Sequence, residues 1–146
     1  MKPKKMPNNR ETKTINQLLG VSSDEKPTYN SYLVKRCTEL FDVPISKFEV
    51  EDYRILISQG IALKYIVPPA IDILSDNLFA EGDYYEGDLL KSILTIDESF
   101  WKKNPIFKEE LKQICLQKFD TIETLDLSDE IKESLSTLVK AFLALK

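Results

Sequence analysis

Histidine is absent from the 146 residues, glycine occurs 4 times, cysteine and methionine twice each, and tryptophan once. Without imidazole, the acid–base pairs, Ser-His-Asp triads and zinc sites that depend on it cannot be built. Neither G-x-G-x-x-G nor G-x-x-x-x-G-K-[ST] occurs, so no phosphate-cradling loop can be read, and no serine sits in G-x-S-x-G. No apolar run approaches the roughly 20 residues that cross a bilayer. The basic start is not followed by the apolar stretch of a secretory signal, because Thr14, Ile15, Asn16, Gln17, Leu18, Leu19 and Gly20 come next. Together these gaps argue against an enzyme, against a cofactor and against a membrane protein. Cys37 and Cys115 lie far apart within apolar helical patterns, where free thiols act as small buried hydrophobes. They are expected in the core, in a reducing, cytoplasmic location.

What the chain has is the composition of a folded domain, with 42% hydrophobic and 30% charged residues. At this length about 68–70% of the unfolded surface can be buried, enough for one real core. The net charge is −4, unevenly spread. Residues 1–13 carry five cations against Glu11 alone, a local +4 that leaves −8 on the remainder. An acidic body disfavours nucleic acid and anionic membranes as partners. The tail over 1–13 has too little apolar mass to pack and is expected to be disordered, with a helical domain over 14–146.

Apolar spacing then predicts an all-α architecture, six to eight helices around one core. A short helix over Thr14–Leu19 ends at Gly20, and residues 21–30 read as a loop. Leu33, Cys37, Leu40 and Phe41 make one stripe, and Val50, Tyr53, Leu56 and Ile57 another, with Glu49, Glu51 and Asp52 at the latter's positive end. Arg54 is expected to pair with Glu51 or a neighbouring helix. Ile61–Val67 reads as a strand or a helical turn, the turn being favoured, and Pro68 and Pro69 fit the first turn of a helix that buries Ile71, Leu74 and Leu78. Leu89, Leu90, Ile93 and Leu94 follow. Asp97 opens a short helix through Phe100 and Trp101, and Phe107, Leu111, Ile114 and Cys115 mark a helix after Pro105. Ser128 caps the last helix, with the stripe Ile131, Leu135, Leu138, Phe142 and Leu145.

Chemistry, if any, belongs to the carboxylates. From Asp72 to Asp88 the charged residues are Asp72, Asp76, Glu81, Asp83, Glu86 and Asp88, with no cation among them. As a calcium loop the run fails, because Leu78 or Tyr85 stands at the third position where an oxygen ligand belongs, and no metal is expected. So many acids close together also produce accidental pairs, which carry no catalysis by themselves. The plain reading is a solvated acidic face. The sharper one starts from Tyr84 and Tyr85, poor fillers for a wet loop tip but frequent interface anchors when flanked by steering charges. Glu81, Asp83, Tyr84, Tyr85, Glu86 and Asp88 are therefore the first-choice contacts for a basic protein partner. Asp120, Glu123, Asp126, Asp129, Glu130 and Glu133, opposed only by Lys132, are the second choice, though part of that run complements the N-terminus of the last helix.

Several ordered words carry a resemblance. Ser31-Tyr32-Leu33-Val34-Lys35-Arg36-Cys37, the stretch Val50-Glu51-Asp52-Tyr53-Arg54 continuing to Leu63, Tyr65-Ile66-Val67-Pro68, and Ala80-Glu81-Gly82-Asp83-Tyr84-Tyr85-Glu86-Gly87-Asp88-Leu89-Leu90 stand in order, followed by Phe100-Trp101. Over about 60% of the chain, from Ile15 to Trp101, it resembles the immunity proteins of bacterial contact-dependent growth inhibition systems. The resemblance implies a cytoplasmic protein that binds the toxic C-terminal domain of a contact-delivered effector, commonly a nuclease, and neutralises it without catalysis. A basic nuclease cleft suits an acidic plug. Residues of a recurrent word can equally shape the fold, and for Asp83, Tyr85, Gly87 and Asp88 both roles stay open. The alternative function is an adaptor or regulatory module that turns the same surface to a basic domain. A carboxylate-based metal hydrolase is a third.

Overall fold

A computed structural model of the chain describes residues 12–20 and 32–146. The expected tail, as far as residue 11, and the expected loop over 21–30 lie outside the described residues. Thr14 opens the first helix, α1 (Ile15–Leu19): its side chain accepts from the Gln17 amide while the Gln17 side chain accepts from the Thr14 amide, and Gly20 closes the turn in the left-handed region. Just before it, the Lys13 carbonyl accepts from the Ile45 amide at 3.1 Å.

Eight α-helices are present among the described residues, and no strand. After α1 come α2 (Tyr32–Leu40), α3 (Val50–Ser58), α4 (Leu63–Asp76), α5 (Asp88–Leu94), α6 (Glu98–Lys103), α7 (Pro105–Lys118) and α8 (Asp129–Leu143), with short 3₁₀ turns at Ile45–Lys47 and Phe119–Thr124. Their starts follow local chemistry. Glu49 and Asp52 form a reciprocal cap on α3, Asp97 accepts from the Ser99 amide ahead of α6, Pro105 takes the first position of α7, and Ser128 accepts from the Ile131 amide ahead of α8.

The packing closes a ring. α3 lies on α4 and α5, α4 on α7, α5 on α8, and α7 on α8, while α2 covers α3 and α6 sits against α7. Inside are Leu56, Ile66, Leu74, Leu89, Leu90, Ile93, Leu111 and Leu135, all without solvent contact. Each contributes about 1.5–3 kcal/mol relative to an exposed side chain. Trp101 joins α6 to α8 through an edge contact with Phe142, 5.1 Å between ring centres. Cys37 and Cys115 are buried free thiols, as expected. Burial raises both thiol pKa values, that of Cys115 to about 11, so they stay protonated and inert.

Two readings need correction. Pro68 and Pro69 are not in the first turn: α4 begins at Leu63, and the prolines stand in its interior. Neither can donate to the carbonyl four residues back, Lys64 or Tyr65, yet the helix continues because Ile66, Val67, Pro69, Ala70, Ile71 and Leu74 are buried along it. Packing outweighs the missing donors. In α8 the buried positions are Leu135, Val139 and Phe142, while Ile131, Leu138 and, beyond the helix end, Leu145 are only partly covered. That face is rotated slightly from the stripe expected.

Candidate functional site

The segment between α4 and α5 folds around one carboxylate. Gly87, at φ 94°, turns the chain into α5, and its amide donates to the Phe79 carbonyl at 3.1 Å, closing the base of the loop. Asp88, next in sequence, is only 3% exposed. Its Oδ1 accepts from the Gly82 amide at 2.7 Å, and its Oδ2 from the amides of Tyr84 and Tyr85 at 3.0 and 3.4 Å. One isolated antiparallel bridge between Glu81 and Glu86 completes the shape.

A second carboxylate holds the outer side. Glu51 of α3 accepts the Asp83 amide at 3.0 Å and receives Arg54 in a two-pronged pair, 2.5 Å from Nε and 2.7 Å from Nη2. Burial alone would raise the Glu51 pKa, but the Arg54 hydrogen bonds and the Asp83 amide outweigh it and hold the carboxyl below its usual value. The Arg54 guanidinium also lies over the Tyr84 ring, its Cζ 4.5 Å from the ring centre. Gly82 sits between the two carboxylates. A Cβ there would fall 2.6 Å from Glu51 Oε1 and 3.0 Å from Asp88 Oδ2, so a larger residue would have to displace the Glu51 carboxylate from its bonds.

The first-choice residues therefore separate. Glu81, Asp83 and Tyr84 are exposed, Tyr84 by 71%, while Tyr85 and Glu86 are half-buried. Asp88 is turned inward and shapes the loop. Arg54, Tyr84, Tyr85, Asp88, Lys91 and Thr95 border a cleft of about 360 Å³ beneath the tyrosines. Arg54 pairs with Glu51 as expected, but its reach to Tyr84 could not be read from spacing. The signal that was available is the i, i+3 placement of Glu51 and Arg54 on a helix.

All six second-choice acids, Asp120, Glu123, Asp126, Asp129, Glu130 and Glu133, are exposed. Asp129 and Glu130 occupy the first turn of α8, where they complement the helix dipole. The two acidic segments are not remote from each other. Phe79, at the base of the loop, packs on Phe119 with ring centres 6.0 Å apart, and Gly87 lies against Leu135 of α8.

Among the described residues no three His, Cys, Asp or Glu side chains are grouped as metal ligands, and no helix is long and apolar enough to cross a membrane. No curated protein matches the chain. The family of CDI immunity proteins does match it, over residues 17–114. That span is about two-thirds of the sequence and contains the whole Glu81–Asp88 loop with its Glu51 and Arg54 supports, whereas the acids from Asp120 to Glu133 fall beyond it. The words that carry the resemblance lie largely within the matched span, and the chain belongs to the family of immunity proteins of contact-dependent growth inhibition.

Proposed function

We propose that this immunity protein is a cytoplasmic, non-enzymatic plug. It neutralises the toxic C-terminal domain of its cognate effector by seating the Glu81–Asp88 loop over a basic active cleft, that of a nuclease. The exposed acids from Asp120 to Glu133 extend the same acidic face and act mainly during approach. Tyr84 is the observation that carries this reading: it is 71% exposed, yet its ring is stacked on an arginine that Glu51 holds by two hydrogen bonds. Ordering such a side chain on association costs about 0.5–1.5 kcal/mol, and here the order exists beforehand. A rigid aromatic between exposed carboxylates supplies both an anchor and a steering field.

The test uses the catalytically inactivated C-terminal domain of the cognate effector. Changing Glu81, Asp83 and Glu86 together to Lys is expected to slow association severalfold, and raising salt should slow the wild-type pair in the same way. Tyr84→Ala should instead speed dissociation by about tenfold or more. Unchanged rates in both variants would remove the loop from the interface. A complex that leaves the toxin's turnover intact would overturn the occlusion mechanism.

A further inference from the structure

Helix α7 sorts its charges by direction. Ile106, Glu109, Glu110 and Ile114, at i, i+3, i+4 and i+8, share one face and border an open trough of about 600 Å³ against α4, where Ile71 and Asp72 form the opposite wall. Two lysines of the same helix are drawn elsewhere. Lys108 donates to the Lys146 carbonyl at 2.7 Å and Lys112 to the Leu145 carbonyl, both at the end of the chain beyond α8. The third, Lys118, donates to the carbonyl of Ser75 at the last turn of α4, a residue that itself lines the trough. The charged side chains that line the trough are Asp72, Glu109 and Glu110, and the Lys118 ammonium reaches it only through the Ser75 carbonyl. Ile71 is only 2% exposed, so the apolar surface the trough offers comes from the half-buried Ile114 and from Ile106, 71% exposed on the rim. Glu109 is steadied by Gln113, whose amide donates to it at 3.1 Å.

We propose that this trough is a second docking surface for the cognate toxin domain, receiving an amphipathic helix that carries lysine or arginine. The apolar side of that helix rests on Ile106 and Ile114, and its cations meet Glu109 and Glu110. From Ile106 to Gln117 the trough runs along twelve residues of α7, about 16 Å, which matches three turns of a guest helix. Exposed carboxylates beside exposed isoleucine select a cationic amphipathic segment and reject an acidic one by like-charge repulsion. The inference rests on the reading of the toxin as partner and adds a contact away from the tyrosine loop.

Binding of the same inactivated toxin domain to Ile106→Asp and to the double variant Glu109→Lys, Glu110→Lys tests it, with melting temperature followed in parallel. Both sites are exposed, so melting should be unchanged while the Kd rises by about tenfold in each variant. Combined with Tyr84→Ala, the losses should multiply, because the two surfaces are separate. Wild-type affinity in both trough variants, alongside a loss in Tyr84→Ala, overturns the trough and leaves the loop standing. A change in self-association with toxin affinity intact reassigns the trough to a second copy and likewise overturns the proposal. Absence of binding by the wild-type protein overturns the toxin reading itself.

Discussion

Asp88 is 3% exposed and receives three backbone amides, whereas every acid from Asp120 to Glu133 is exposed to solvent. Side by side in the fold, the two segments use negative charge for different ends. In the loop, charge turned inward organises backbone that has no regular secondary structure to satisfy its donors. Along the 3₁₀ turn and the start of α8 the backbone is already organised, and charge is left to act outward as a field. A net charge counted along a sequence mixes the two. Only the second kind is available to a partner, together with the loop acids that remain outside, Glu81 and Asp83.

The comparison breaks most sharply at Asp88. Replacing it with Ala leaves the amides of Gly82, Tyr84 and Tyr85 without their acceptor, and the expected loss is about 3 kcal/mol of unfolding free energy in urea. Asp120→Asn, Glu123→Gln and Asp126→Asn should each change stability by less than about 0.5 kcal/mol. Should Asp88→Ala cost no more than these, the inward and outward carboxylates would not differ in kind. Gly87→Ala is the next largest effect. A methyl group there must adopt φ near 94° and sits 3.0 Å from Leu135 Cδ1, where the loop is pinned to α8. About 2 kcal/mol is expected from the left-handed strain. An equal loss of toxin binding without loss of stability would instead place Gly87 in the interface.

The helices were largely legible because their signals are local. Thr14, Asp97, Pro105 and Ser128 each sit where a cap or first turn begins, and apolar spacing does the rest. The start of α4 was less legible because the propensity of Pro68 and Pro69 is local while the burial that overrides it is tertiary. The site divides in the same way. That residues 80–88 form a shaped acidic loop with tyrosines could be read from glycines and charges. That Asp88 faces inward could not, because it depends on three amides converging on one point. The stack of Tyr84 on Arg54 joins a loop to a helix distant in sequence, and no spacing rule reports it.

Glu51 gives the smallest effect and separates the two uses of charge by titration. Its carboxyl is held below the ordinary value of 4.5, with the Arg54 and Asp83 hydrogen bonds overcoming the effect of burial. A carboxyl depressed in the folded state contributes stability that is complete above the unfolded pKa and is lost as pH falls through the folded one. Wild-type protein should therefore exceed Glu51→Gln in stability at neutral pH, and the gap should close as pH is lowered below about 4.5. Urea midpoints measured between neutral and acid pH read that gap directly. A gap that stays constant across the range would mean that the neutral amide supports Arg54 and the Asp83 backbone as well as the anion does. Tyr84 would then owe its fixed pose to shape alone, and the Glu81–Asp88 loop would lose the ionic strut that distinguishes it from the acids of α8.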